Sequence, residues 1–126
     1  MKMKYKFVKE DVLNTGRPDF LVIVDKPYHL LSFMIEGDES IEEIEEMIEN
    51  LQKVQNDEQE EYWFGNQTGF LGVAIMTDKN DPENWPKGVY VFDQFDENPI
   101  THKFRVDIEE VIKLLEDFKK FVEENS

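Results

Sequence analysis

Residues 40–63 are SIEEIEEMIENLQKVQNDEQEEYW, and this stretch determines how the rest of the chain can be arranged. Its apolar residues recur at helical spacing, within an arc of roughly 140° if each residue advances about 100°. They are Ile41, Ile44, Met47, Ile48, Leu51 and Val54. Ser40 followed by Glu43 forms a capping box, a common start of a helix. The pattern predicts an amphipathic helix over about 40–56, packed on a sheet by its apolar stripe.

The polar side of this predicted helix is almost entirely glutamate: Glu42, Glu45, Glu46 and Glu49. It contains like charges at i,i+4, and each such pair costs roughly 0.2–0.5 kcal/mol. Only Glu49 with Lys53 forms an attractive pair in the favourable order. A surface selected only for solubility usually mixes the two signs. Two interpretations stay open, an ordinary solvated helix face and an anionic docking ridge for a partner.

The charge of the chain is concentrated in this segment. The formal net charge is −15, and residues 38–61 alone carry eleven acidic groups and one lysine. The glutamates that extend the acidic surface beyond the helix are Glu58, Glu60 and Glu61. Nucleic acids and anionic lipids bind through cationic contacts, so this field excludes them as direct ligands. It favours a basic protein partner and makes a small-molecule ligand a poor expectation.

The remaining pattern predicts an α+β protein with one domain over residues 1–126. Apolar or alternating runs predict strands at 4–9, 20–25, 29–36, 62–64, 70–77, 88–93 and 101–106. The run at 20–25 is continuously apolar, as in a central strand covered on both faces. A second amphipathic helix is predicted at 107–124, with lysine and glutamate mixed on its polar face. We expect a mainly antiparallel sheet of about six to seven strands with two helices.

Residue types exclude several other classes. The chain has no cysteine, so disulfide scaffolds, thiol catalysis and cysteine-based zinc sites are excluded. No apolar h-region follows the N-terminal lysines, and no apolar run approaches membrane-spanning length. A cytoplasmic location is the expectation. No pattern defines an oligomeric state.

Motifs for catalysis or cofactor binding are weak. His29 and His102 have no metal-ligand spacing, and structural roles are the simpler interpretation. The glycine-rich run at 65–72 matches no phosphate-binding pattern and fits a hairpin turn. Residues 78–83 lack the glycine and the regular carboxylates of a calcium loop. We therefore expect no cofactor, no metal and no enzyme activity.

Two tryptophans are candidate anchors for a partner. Trp63 and Trp85 both lie near acidic residues. Alternate positions of a short strand face outward, and exposed aromatic rings surrounded by charged residues are typical of interface hot spots. Packing in the core is the alternative for each ring.

The second half of the chain combines YWFGN at 62–66, the strands at 70–77 and 88–93, and the closing helix DIEEVIKLLEDFKKF at 107–121. In these features it resembles the small immunity proteins of bacterial polymorphic-toxin and contact-dependent inhibition systems. The resemblance implies a compact acidic protein that binds one toxin domain, has no catalytic residues and acts by binding. A cognate toxin of the nuclease type is expected to be basic, because its cleft must hold a polyanion.

Other functions stay open at this point. An acidic inhibitor or mimic acting on a nucleic-acid-binding protein would use the same surface. In a non-catalytic adaptor subunit the glutamates would be incidental and Trp63 or Trp85 would be the anchor. An enzyme would need a partner carboxylate for Asp93, Asp96 or Glu97, and the sequence shows none at a defined spacing.

Overall fold

The computed structural model describes residues 4–10, 19–26, 28–34, 41–65, 70–77, 80–83, 85–93, 95 and 104–125. In chain order the elements are β1 (Tyr5–Glu10), β2 (Asp19–Val24), α1 (Leu31–Met34), α2 (Ile41–Gln55), β3 (Glu61–Gly65), β4 (Phe70–Ile75), β5 (Gly88–Asp93), β6 (Phe104–Val106) and α3 (Ile108–Asn125). The predicted α+β class is confirmed. Both long helices begin and end within about one residue of the prediction. Ser40 and its capping box lie outside the described residues.

The strands of the described residues form two antiparallel sheets. One contains β1 and β2, and the other has the order β3-β4-β5-β6, the predicted meander. These six strands are slightly fewer than predicted. In the meander Tyr62 is paired with Ala74, which in turn is paired with Val89, and Val89 with Val106. This row of side chains therefore lies on one face of the sheet.

The prediction of a strand at 29–36 is wrong. Leu31–Met34 is a short helix, and residues 35–40 lie outside the described residues. The backbone N–H of Leu31 donates to the carbonyl of Tyr28 at 3.1 Å, which closes a turn before the helix. Ser32 Oγ accepts the N–H of Val24 at 2.8 Å and fixes this turn to β2. A short apolar run fits a strand and a helix equally well, and here the local turns favour the helix.

β2 also differs from the expectation of a strand covered on both faces. Val22 and Val24 are buried, whereas Ile23 between them is 40% exposed. Among the described strands β2 pairs only with β1. The strand therefore buries one face, and its run of β-branched residues reflects strand propensity more than burial.

α2 and α3 pack together against one face of the four-stranded sheet, and both contribute to the same core. The sheet contributes Phe64, Ala74, Val89, Val91, Phe104 and Val106. The β1-β2 pair joins this core through aromatic contacts, since Phe7 lies 5.6 Å from Phe118 and 5.4 Å from Phe121 between ring centroids. The opposite face of the meander bears Trp63, Val73, Tyr90 and Arg105 in one row of the register.

Candidate partner-binding surface

The acidic surface is positioned by the buried stripe of α2. Four residues of this helix are less than a tenth exposed: Ile44, Met47, Leu51 and Val54. Since these side chains fix the rotation of the helix, Glu42, Glu45, Glu46 and Glu49 are all exposed. The structure thus places all four predicted site residues of the helix at the surface.

These four glutamates do not form one uniform ridge. Glu45 Oε1 lies 2.9 Å from Lys119 Nζ on α3, and Glu49 Oε1 lies 3.5 Å from Lys53 Nζ on the same helix. The hydrogen bond to Glu45 raises the pKa of Lys119, with Glu123 adding to the effect. Within the described residues, Glu42 and Glu46 are in no ion pair. The uncompensated charge of α2 is therefore on the side of Glu42 and Glu46, away from α3.

A groove separates the polar sides of α2 and α3. It has a volume of about 310 Å³ and is lined by Glu45, Ile48, Glu49, Gln52, Glu116, Lys119, Lys120 and Glu123. Two lysines among four glutamates give this groove a weaker negative charge than the outer side of α2. The structure thus divides the acidic surface into a partly neutralised groove and an uncompensated outer side.

The acidic segment continues through a helix-ending turn. Asp57 has a φ of 62°, a left-handed conformation usually taken by glycine at this position. Its N–H donates to the carbonyl of Val54 at 3.2 Å, and the N–H of Glu58 donates to the carbonyl of Lys53 at 2.8 Å. This pair of bonds defines a Schellman motif. The turn carries Glu58 and Glu60, both exposed, directly into β3, where Glu61 is also exposed.

Lys87 closes this turn from the side of the sheet. Its Nζ lies 2.7 Å from Asp57 Oδ1 and donates to the carbonyl of Gln55 at 2.9 Å. The lysine thus binds a carbonyl at the negative end of α2, where a cation is favoured. It neutralises Asp57 but leaves Glu58 and Glu61 without an ion-pair partner among the described residues.

The two predicted aromatic anchors have different surroundings. Trp63 is 54% exposed, on the face of the sheet opposite the helices. Trp85 is only partly exposed, with its ring centroid 4.7 Å from that of Tyr90 and 6.4 Å from that of Phe92. Tyr90 is buried beneath it, and its hydroxyl donates to the carbonyl of Pro86 at 2.6 Å. Trp85 therefore covers the sheet, and Trp63 is the ring available to a partner.

Other candidates from the sequence receive no support from the geometry. His29 is exposed, and His102, Asp96 and Glu97 lie outside the described residues. Within the residues that the structure does describe, no group of three or more histidines, aspartates and glutamates is placed to hold a metal ion. No helix of this same part of the chain is both long and apolar enough to cross a membrane.

Sequence reasoning missed two features of this surface. One is the ion pair between Glu45 and Lys119, which depends on how the two helices pack. The open backbone edge of β3 was also missed, since strand order decides which strand lies at an edge. The strand itself carries no signal for it, since its alternating burial, with Glu61, Trp63 and Gly65 exposed, shows only that one face is open.

Comparisons of this chain with protein-family models, with curated protein sequences and with solved structures give no match.

Proposed function

We propose that this chain is a protein-binding inhibitor, an immunity protein that neutralises a cognate basic toxin domain of the nuclease type. It acts in the cytoplasm by binding, without catalysis and without direct contact with nucleic acid. The observation that carries the proposal is the uncompensated acidic side of α2 formed by Glu42 and Glu46. Beyond the end of this helix, the exposed carboxylates of Glu58 and Glu61 add to the negative field. The likeness of the second half of the chain to immunity proteins supports the same assignment.

The physical mechanism is competition for a cationic cleft. A nuclease must hold phosphates with lysine and arginine, so its cleft has a positive potential. A rigid helix that presents carboxylates meets this potential without reorganisation, and opposite fields accelerate the encounter by about 10–10³-fold. Because the buried stripe fixes the rotation of α2, these carboxylates are already oriented before the partner arrives. The inhibitor then occupies the surface that nucleic acid needs.

The test begins with the partner that co-purifies with the chain and is identified by mass spectrometry. We expect a basic protein whose toxic activity is lost on addition of the chain. Association is then measured by stopped flow as a function of salt, for the chain and for Glu42→Lys/Glu46→Lys. This variant should associate at least about tenfold more slowly at low salt, with a weaker salt dependence.

A matched control is available away from α2 and its groove. Glu83→Lys/Glu124→Lys makes the same change in net charge at two exposed positions, Glu83 between β4 and β5 and Glu124 near the end of α3. If association depends on the α2 surface, this variant stays close to the unmodified chain. Equal slowing by both variants would mean that only net charge matters, and no slowing by the α2 variant would exclude that surface as the contact. A partner that binds nucleic acid but is not toxic would indicate the acidic mimic instead.

The exposure of Trp63 favours a second candidate, the adaptor subunit. A large ring that is half exposed on the sheet face, away from the glutamates of α2, is a typical anchor of a protein interface. In this case Trp63→Ala would abolish binding, and charge reversal on α2 would leave the association rate unchanged. Measuring both variants against the same partner separates the two functions.

A further inference from the structure

β3 has one backbone edge that pairs with no strand of the described residues. Within the described residues it lies at the end of the order β3-β4-β5-β6 and pairs only with β4. Met76 N–H donates to the carbonyl of Glu60 at 3.0 Å, which makes these two residues a hydrogen-bonded pair. Such pairs alternate along an antiparallel ladder, so Tyr62 and Phe64 also bond to β4. The N–H and C=O groups of the intervening residues point away from β4.

These outward groups belong to Glu61, Trp63 and Gly65. The side-chain amide of Gln59 donates to the carbonyl of Glu61 at 2.8 Å, as expected if that carbonyl points away from the sheet. Trp63 lies at the centre of the edge, and Val73, directly opposite on β4, is only 4% exposed. The edge thus combines backbone groups that bond to no described strand with an exposed ring, as in sheets that bind an extended peptide as an added strand.

We propose that the open edge of β3 binds an extended segment of the basic partner, which adds a fifth strand to the sheet. The charge of this segment follows from the surroundings of the edge and rests on the proposed function. β3 follows the acidic turn directly in the chain. Its edge therefore begins with exposed Glu61, next to exposed Glu58 and Glu60. A strand that bears lysine or arginine is attracted to this position.

The same charges disfavour a second copy of the chain as the occupant. Two β3 strands paired edge to edge would bring together two chains that each carry a net charge of −15, with a Glu61 in each strand of the shared ladder. Charged residues on an edge strand are a common protection against such self-pairing. The glutamates thus disfavour an identical edge and favour a basic one.

The geometry also defines the contacts of the added strand. Glu61 and Trp63 are two residues apart, so their side chains share the face opposite the helices. A residue paired with Trp63 in the added strand would lie next to the indole, where an arginine or lysine gains a cation–π contact. A second basic residue two positions away would lie opposite Glu61 and form a cross-strand charge pair. The preferred segment therefore has basic residues at alternating positions.

The test uses random dodecapeptides displayed on phage and selected against the intact chain. We expect the enriched peptides to carry basic residues at alternating positions. These peptides are then synthesised, and hydrogen exchange of the chain is measured by NMR with and without them. On binding, the amides of Trp63 and Gly65 should exchange at least about tenfold more slowly. The amides of Tyr62 and Phe64, already bonded to β4, should change little. Enriched peptides without basic residues, protection of another part of the chain, or no enrichment would overturn the proposal.

Two substitutions at one position separate the backbone from the ring. Trp63→Val removes the indole and keeps the outward N–H, whereas Trp63→Pro removes both. Proline is tolerated on an edge strand where its missing N–H faces solvent, so the ladder with β4 is retained. We expect Trp63→Pro to bind the peptides at least about tenfold more weakly than Trp63→Val. Equal binding by the two variants would contradict strand addition. If Trp63→Pro does not fold, the exchange measurement on the unmodified chain still decides.

Two further outcomes are distinguishable. Dimerisation of the unmodified chain in sedimentation, lost in Trp63→Pro, would show that a second copy occupies the edge and would overturn the assignment to a basic segment. Failure of the proposed function appears elsewhere, as unchanged association after charge reversal on α2. α2 and β3 are altered by different variants, so the two proposals are tested separately. The amides of Trp63 and Gly65 can be protected even if charge reversal on α2 leaves association unchanged, and the reverse result is equally possible.

Discussion

Glu45 Oε1 on α2 lies 2.9 Å from Lys119 Nζ on α3, so the most acidic helix of the chain is held to its neighbour by one of its own glutamates. Lys119 also lies 3.7 Å from Glu123 Oε1, and thus between carboxylates of both helices. Glu45 therefore has a structural partner that Glu46, the next residue, lacks among the described residues. Two adjacent glutamates of similar exposure should respond differently to the same substitution.

The first prediction compares these two residues. Glu45→Gln should lower the free energy of unfolding slightly, because it removes the charge that pairs with Lys119, and the loss should fade in high salt. Glu46→Gln should leave stability unchanged or raise it by roughly 0.2–0.5 kcal/mol, since it relieves the i,i+4 repulsion with Glu42. Urea unfolding at low and high salt measures both effects. Equal effects of the two substitutions would show that the ion pair with Lys119 does not form in solution.

The second prediction concerns the left-handed residue at the end of α2. Asp57→Gly and Asp57→Ala both remove the ion pair with Lys87, but only glycine adopts a φ of 62° without a steric cost. Asp57→Gly should therefore be more stable than Asp57→Ala by about 1 kcal/mol. Thermal and urea unfolding of both variants give this difference.

Lys87→Met is the control for the contribution of the ion pair. Asp57 and Lys87 are both partly exposed, so their pair is worth less than about 1 kcal/mol. The substitution also removes the bond to the carbonyl of Gln55, which adds a loss of similar size. If Asp57→Ala is no less stable than Asp57→Gly, the left-handed conformation is not retained in solution.

How much of the fold can be predicted from the sequence depends on how far apart along the chain the interacting residues lie. α2 and α3 were predicted nearly to the residue because helical periodicity is local and repeats over many residues. The four strands of the meander were found because turn residues separate them. Alternation along a short strand allowed an outward Trp63 but left packing in the core open, and the structure shows the outward position.

The errors arose where tertiary context decides. The apolar run at 29–36 is compatible with a strand and with a helix. The hydrogen bond from Val24 N–H to Ser32 Oγ, which fixes the turn, cannot be predicted from the sequence pattern. The pairing of β2 with β1 in a separate sheet depends on which strands meet, not on their own residues. The division of the acidic ridge by Lys119 required the packing of two helices that are far apart in the chain.

The third prediction tests the close approach of Arg105 to Gly88. A Cβ placed on Gly88 would lie 2.5 Å from Arg105 Nε, so Gly88→Ala must displace the guanidinium. That group donates to the carbonyl of Lys87, and its Nη1 lies 2.9 Å from Asp107 Oδ1. Because the guanidinium is the far end of a flexible, partly exposed side chain, it can move aside, and the displacement should cost at most about 1 kcal/mol for the bonds that it weakens. Denaturant unfolding measures the loss.

The matched control for this prediction is the same substitution in a chain that lacks the guanidinium. In the background of Arg105→Ala, Gly88→Ala meets no obstacle and should cost much less than in the unmodified chain. A double-mutant cycle of the two substitutions gives the coupling directly. Additive effects would mean that Arg105 does not lie across Gly88.

The fourth prediction concerns alkaline pH and the bond between β1 and α3. The Tyr5 hydroxyl donates to Asp117 Oδ2 at 2.5 Å. Burial, and then the bond and charge of Asp117, raise the pKa of Tyr5 well above its ordinary value. The unfolded chain loses this proton near pH 10, whereas the folded chain keeps it. The stabilisation is therefore complete below about pH 10 and decreases as the pH rises toward the folded pKa.

Tyr5→Phe removes this titration and should flatten the alkaline decline of the free energy of unfolding. At neutral pH the variant should lose about 1 kcal/mol, the net worth of one hydrogen bond. Tyr90, whose pKa is raised by burial, and Lys119 titrate in both chains, so the difference between the two pH profiles isolates Tyr5. Asp117→Asn keeps an acceptor oxygen but removes the charge, and should give an intermediate profile. Parallel profiles for the unmodified chain and Tyr5→Phe from pH 8 to 11 would show that Tyr5 does not hold its proton against Asp117.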